Sequence, residues 1–169
     1  MSEPPPPIAL RGAPMTAGTR AQAQALLGAF LRDDPHYLAS APAYGDGGAD
    51  ALARALDLFL ARPELGFVWL AFVDGDGASF VAGACVVCYA ISTSRGGLVA
   101  KLDDVTIGAQ WRHRGVGSAM LAALADELRA RGVTRIDTAC HRGNGGAWRF
   151  YARAGFRPLD EERISLLLA

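Results

Sequence analysis

The chain has 169 residues, 51% of them hydrophobic and 20% charged, and its 17 basic residues balance 17 acidic ones. Such a chain can bury a substantial core as a globular domain. A net charge of +0 excludes the broad positive field that gathers nucleic acid or an anionic membrane, so any anion must be held by a local site.

In chain order, residues 1–7, "MSEPPPP", read as a flexible proline-rich tail, and residues 8–169 as one domain. No basic segment followed by an apolar one opens the sequence, so no signal peptide is expected. The longest apolar stretch, residues 80–91, is too short to cross a ~30 Å bilayer as a helix. Residues 8–12 suggest a short strand. Residues 16–31 carry Leu26, Leu27, Phe30 and Leu31 as a thin apolar stripe, which predicts a helix. Residues 33–44, "DDPHYLASAPAY", read as a proline-punctuated loop. Leu52, Leu56, Phe59 and Leu60 predict a second helix over 50–62.

The period then changes. Residues 67–73, "FVWLAFV", and 80–92 are apolar strands joined through Asp74-Gly75-Asp76-Gly77, a hairpin turn. Arg95-Gly96-Gly97 turns the chain into a third strand over 98–107. Met120, Leu121, Leu124 and Leu128 predict a helix over 117–131, stopped by Gly132. A strand over 133–139, a short helix over 145–154 and a last strand over 163–168 complete the pattern. Hairpins followed by a strand–helix–strand unit imply a mixed α/β sheet with helices packed on it. Cys85 and Cys88 are three apart in a strand and so face opposite sides. With Cys140 they read as plain buried thiols in a reducing cytoplasm, with no metal expected.

Two arginines and two glycines stand directly before the central helix, in "QWRHRGVGSAML", residues 110–121. Glycine admits positive φ and a close ligand. The first turn of a helix leaves its N–H groups unpaired, and the helix dipole adds positive potential there. The junction is therefore an anion nest suited to phosphate or pyrophosphate, with Arg112 and Arg114 able to add charge-assisted bonds. The spacing is not Walker A, and a dinucleotide fingerprint would need glycine where Met120 stands.

The remaining pattern, Arg112-His113-Arg114-Gly115-Val116-Gly117, resembles the acyl-CoA pyrophosphate loop of the GNAT superfamily of acetyl-CoA-dependent N-acetyltransferases. Asn144, Ala147, Phe150-Tyr151 and Gly155-Phe156 are similar in kind and spacing to the family's next signature, and "LDDVTI", 102–107, to its fourth strand. The resemblance implies a mixed, mostly antiparallel sheet of about six or seven strands with a splayed central pair, flanked by about four helices. It implies that amides of Arg112, His113, Arg114, Gly115, Val116, Gly117 and Ser118 hold the pyrophosphate of acetyl-CoA. It places the pantetheine arm on the backbone of Val105 and Ile107, with Asn144 bonding the arm and Phe150 beside the cofactor. Asn144 also suits a helix N-cap.

By the same resemblance Tyr151 is the general acid at the cofactor sulfur, protonated at neutral pH, and acetyl passes directly to a primary amine in a ternary complex. Asp103 and Asp104 are adjacent strand positions, so only one faces the amine. Asp103 would share a face with Val105 and Ile107 and act as base or relay; a salt bridge is the other reading. His141 is a further candidate. Asp33, Asp34, His36 and Tyr37 lie near the expected acceptor mouth. The implied partners are a small-molecule amine or a peptide amino terminus, with no nucleic acid and no membrane; a homodimer is compatible. A catalytically silent CoA-binding module of the same fold is the alternative.

Overall fold

The computed structural model describes residues 9–75 and 77–168; the proline-rich tail lies outside them. The chain runs β1 (Leu10–Pro14), α1 (Arg20–Asp33), α2 (Pro35–Tyr44), α3 (Gly48–Ala61), β2 (Gly66–Gly75), β3 (Ala78–Ser92), β4 (Gly97–Ile107), α4 (Val116–Ala130), β5 (Ile136–Thr138) and α5 (Gly145–Arg153), with a 3-10 turn at Ala109–Trp111. The strands form one sheet in the order β1-β2-β3-β4-β5. All neighbours are antiparallel except β4 and β5, which are parallel.

Helices cover both faces, so β2 is buried from Gly66 to Val73 and reads as a continuous apolar run rather than an alternating one. On one face Leu27 of α1 and Leu56 of α3 pack with Val68, Leu70 and Phe72. On the other, Met120, Leu121, Leu124 and Leu128 of α4 meet Trp69, Cys85, Val87 and Leu102, and Tyr151 of α5 joins them.

Two irregularities in β4 position the site. Its pairing to β5 covers only Ala100↔Ile136, Lys101↔Asp137 and Leu102↔Thr138. Beyond Leu102 the two strands part, leaving that side of residues 103–107 unpaired. Against β3 the register passes from Val86↔Asp103 to Ala84↔Thr106. Asp104 and Val105 thus oppose Cys85 alone, a β-bulge, with Asp104 at φ 50.

The expected architecture needs correction in three places. There are five strands and five α-helices among the described residues, because 163–168 forms no strand. The splay therefore falls on the edge pair β4 and β5, not on a central pair. The supposed loop 33–44 is mostly α2. Asp34 caps that helix, its Oδ1 accepting from the His36 and Tyr37 amides at 3.0 and 2.8 Å, and Pro35 suits its first position. Pro42 lies inside it and costs one internal bond near the end.

Candidate active site

The junction after β4 is built from short-range constraints. The turn Ala109–Trp111 closes on Gly108, the Trp111 amide donating to the Gly108 carbonyl at 2.8 Å. His113 and Gly115 then take positive φ, 60 and 78. These reversals aim successive amides to one side. Among the described residues the N–H groups of 113–118 donate to no protein acceptor, and the first bond of α4 from outside the helix is Ala119 N to Gly115 O at 3.0 Å. The junction thus carries a run of backbone donors without a protein partner, exposed at 113–115 and buried at Val116. Nothing lies within 4 Å of where a Cβ on Gly115 would point.

Gly117 is different: a Cβ there would meet Phe150 Cε2 at 3.3 Å and Ile107 Cγ1 at 3.5 Å. It is where β4, α4 and α5 converge. Arg112 sends Nε to the Ile107 carbonyl at 3.0 Å, so it ties the nest to β4 and occupies an acceptor expected to serve the cofactor arm. The Arg114 guanidinium lies 5.8 Å from the Trp111 ring centroid.

Tyr151 is 8% exposed, held between Phe150 and Phe156 at centroid distances of 5.1 and 5.3 Å. Burial pushes its phenol up to about 12; the Thr138 hydroxyl opposes that shift, while Cys85, Cys140 and Asp103 add to it. Thr138 itself donates to the Leu102 carbonyl at 3.1 Å, at the last β4–β5 pair. Tyr151 thus stands near the closed end of the splay. Asn144 caps α5, its Oδ1 accepting from the Ala147 amide at 3.0 Å, and its Nδ2 has no partner among the described residues.

The carboxylates are rearranged by the bulge. Asp103 lies on the face of Lys101, whose Nζ meets its Oδ2 at 2.8 Å, and Arg163 Nη1 stands 3.7 Å from its Oδ1. Val105 and Ile107 instead return to the face of Leu102 and pack on the α4 core. Asp103 therefore does not share their face: one extra residue reverses the alternation. The salt-bridge reading of Asp103 holds. Asp104 is pushed up to about 6, first by burial and then by the Asp103 carboxylate, with Lys101 and Arg163 pulling it down.

A cavity of about 300 Å³ at the end of β4 is lined by Phe30, Asp33, Asp34, Thr106, Ile107 and Arg112, among others. It brings Asp33 to the nest. On α2, the His36 ring lies 5.3 Å from that of His141, which follows β5. His141 Nδ1 accepts from the Gly143 amide at 3.1 Å, which puts the proton of its neutral ring on Nε2. Tyr37 stacks on Tyr44 at 6.2 Å; burial, then Asp46 and Asp104, raise its phenol. Sequence reading missed Lys101, although its i, i+2 spacing to Asp103 on a strand was a readable signal. It also missed Tyr44 and Arg163, which only tertiary packing brings here. No group of three or more His, Cys, Asp or Glu that could hold a metal occurs among the described residues.

The profile of the acetyltransferase (GNAT) family matches residues 29–156, a span that holds the nest, the splay and Tyr151. The chain belongs to the GNAT family. Solved structures agree in fold. An integron cassette protein from the mobile metagenome of Cole Harbour Salt Marsh is 23% identical, with TM-score 0.70, 94% of this chain and 90% of that one covered. A ribosomal-protein-alanine N-acetyltransferase from Brucella melitensis biovar Abortus 2308 is 15% identical, TM-score 0.68, covering 95% and 100%. A predicted acetyltransferase from Clostridium acetobutylicum, solved with acetyl-CoA, is 16% identical, TM-score 0.65, covering 95% and 96%. Comparison with curated proteins finds no match. Membership of the GNAT family supports acetyl transfer in general as the chemistry of this chain. No described helix is long and apolar enough to cross a membrane.

Proposed function

We propose that the protein transfers the acetyl group of acetyl-CoA directly to a primary amine, with Tyr151 as general acid. The observation that carries this is the run of unpartnered amides 113–118 at the open end of the β4–β5 splay, with Tyr151 near the closed end. The residues present fit the cofactor: the amides of 113–118 have no protein acceptor among the described residues, and no side chain fills the space over Gly115.

In this reading the amides of His113, Arg114, Gly115, Val116, Gly117 and Ser118 hold the pyrophosphate, and the dipole of α4 reinforces them. The free edge of β4 at Val105 and the Asn144 amide hold the pantetheine arm; Phe150 walls it. Ile107 serves through its side chain, since Arg112 takes its carbonyl. Acetyl-CoA supplies an activated acetyl thioester whose sulfur needs a proton as the acetyl leaves. Tyr151 keeps its proton across the neutral range because burial pushes its phenol up to about 12, and its hydroxyl is the donor. Asp103 and Asp104 draw in a cationic amine. Asp104, pushed up to about 6, is a proton acceptor close to neutrality. Asp33, His36 and Tyr37 line the acceptor's approach.

Thiol release from acetyl-CoA, assayed with polyamines, amino sugars, amino acids and peptide amino termini, tests the reading together with calorimetric titration of acetyl-CoA and ATP. Acetyl-CoA binding with amine-dependent thiol release is expected. Stabilisation by ATP and not by acetyl-CoA would overturn it; binding without turnover on any amine would leave a CoA-binding module.

A further inference from the structure

The chain after α5 runs without regular structure. Residues 163–168 are exposed throughout. Ile164, Leu166 and Leu168 are 91%, 83% and 90% exposed. Arg163, Ser165 and Leu167 make the contacts to the rest of the protein, although Leu167 is itself 55% exposed. Arg163 Nη1 lies 3.7 Å from Asp103 Oδ1, with its guanidinium 5.7 Å from the Tyr44 ring centroid. Ser165 Oγ donates to the Ala43 carbonyl at 3.4 Å. Leu167 Cδ2 sits 2.9 Å from where a Cβ on Gly45 would be. Glu162 pairs with Arg142 of the β5–α5 loop. The segment therefore bridges the end of α2 and the far side of the splay.

Asp103 faces two cations: Lys101 is hydrogen-bonded to Oδ2 at 2.8 Å, and Arg163 stands opposite Oδ1 at the longer ion-pair distance of 3.7 Å. An ammonium arriving at Oδ1 meets the Arg163 guanidinium there. The two partners are not held alike. Lys101 is fixed two residues away on β4, within the paired ladder. Arg163 belongs to a segment whose residues 161–168 make no backbone–backbone hydrogen bond among the described residues. Side chains alone pin it down, so its opening costs little. An aromatic face beside a carboxylate suits any cation, and Arg163 is the one supplied by the chain itself.

Building on the acetyl-transfer reading, we propose that the C-terminal segment is a displaceable strap in which Arg163 occupies the acceptor's cation station at Asp103, so that strap and amine compete for it. A half-exposed ion pair of this kind is a weak lock, which fits a strap that substrate can displace.

Putrescine titrated into the CoA-saturated 169-residue chain at low ionic strength tests this without turnover. Arg163→Ala binds the diamine about threefold more tightly than the parent, while Arg163→Lys, which keeps the charge, does not. Added salt narrows the gap. Unchanged acetyl-CoA affinity in Arg163→Ala shows that its fold and nest are intact. Equal, weaker or absent diamine binding in Arg163→Ala overturns the strap. Tighter diamine binding with no thiol release from acetyl-CoA overturns amine transfer instead and leaves the strap standing.

Discussion

Gly117 touches three elements at once, with Phe150 of α5 and Ile107 of β4 within 3.3 and 3.5 Å of the position a Cβ would take, and its own amide belongs to the nest. Aspartate there adds a negative charge among donors aimed at an anion. Gly117→Asp should weaken acetyl-CoA binding at least about tenfold, by loss of roughly 1.4 kcal/mol or more, in a variant whose circular dichroism matches the parent. Tyr151→Phe removes only an oxygen from a ring packed between two others. Calorimetry should find acetyl-CoA affinity preserved while kcat falls roughly a hundredfold, the usual loss for one positioned acid. Because the phenol is pushed up to about 12, no alkaline limb of the kcat profile below about pH 10 should belong to it. These residues were legible because their chemistry is local: a glycine pair before a helix and an aromatic pair after an asparagine mark the same places in sequence and in space.

At the scale of elements, α2 is the lesson. "DDPHYLASAPAY" looks like a loop to anyone counting prolines, yet Asp34 and Pro35 are a helix start, and Pro42 stands close enough to the end to be tolerated. That helix carries His36, Tyr37 and Tyr44 to the mouth. Asp34→Ala removes a cap that serves two amides and should cost about 1 kcal/mol of stability, read as a lower urea midpoint. The same change should raise KM for the amine more than it lowers kcat, since α2 frames the approach and not the reacting atoms. β4 teaches the complementary point. Strict alternation put Asp103 with Val105 and Ile107, but the bulge opposite Cys85 inserts one residue and reverses every face beyond it. No single-strand pattern announces a bulge, because it is defined against the partner strand.

For the whole molecule, two cores on the two faces of one sheet hold the site in place, and the cost of the site is felt in stability. Asp104 titrates near about 6 in the fold against about 3.9 in an unfolded chain. The folded state thus holds that proton more tightly. Stability from this group is fully present below about pH 4 and is lost as pH rises through about 6. Asp104→Asn abolishes the loss and tolerates the positive φ. Its Tm should exceed that of the parent between about pH 7 and 8, and the difference should vanish near pH 4 by scanning calorimetry.

The amide nest, the amphipathic α4 behind it, the hairpins, the place of Tyr151 on α5 and the family were all readable from the chain alone, since each rests on neighbours within one turn or one strand. Tertiary structure alone decided the strand count, the face of Asp103, the splay at the sheet edge, and the meeting of Arg163 with Asp103 and of His36 with His141. Those depend on pairings between segments far apart in the chain, where register and packing, not local propensity, select the outcome.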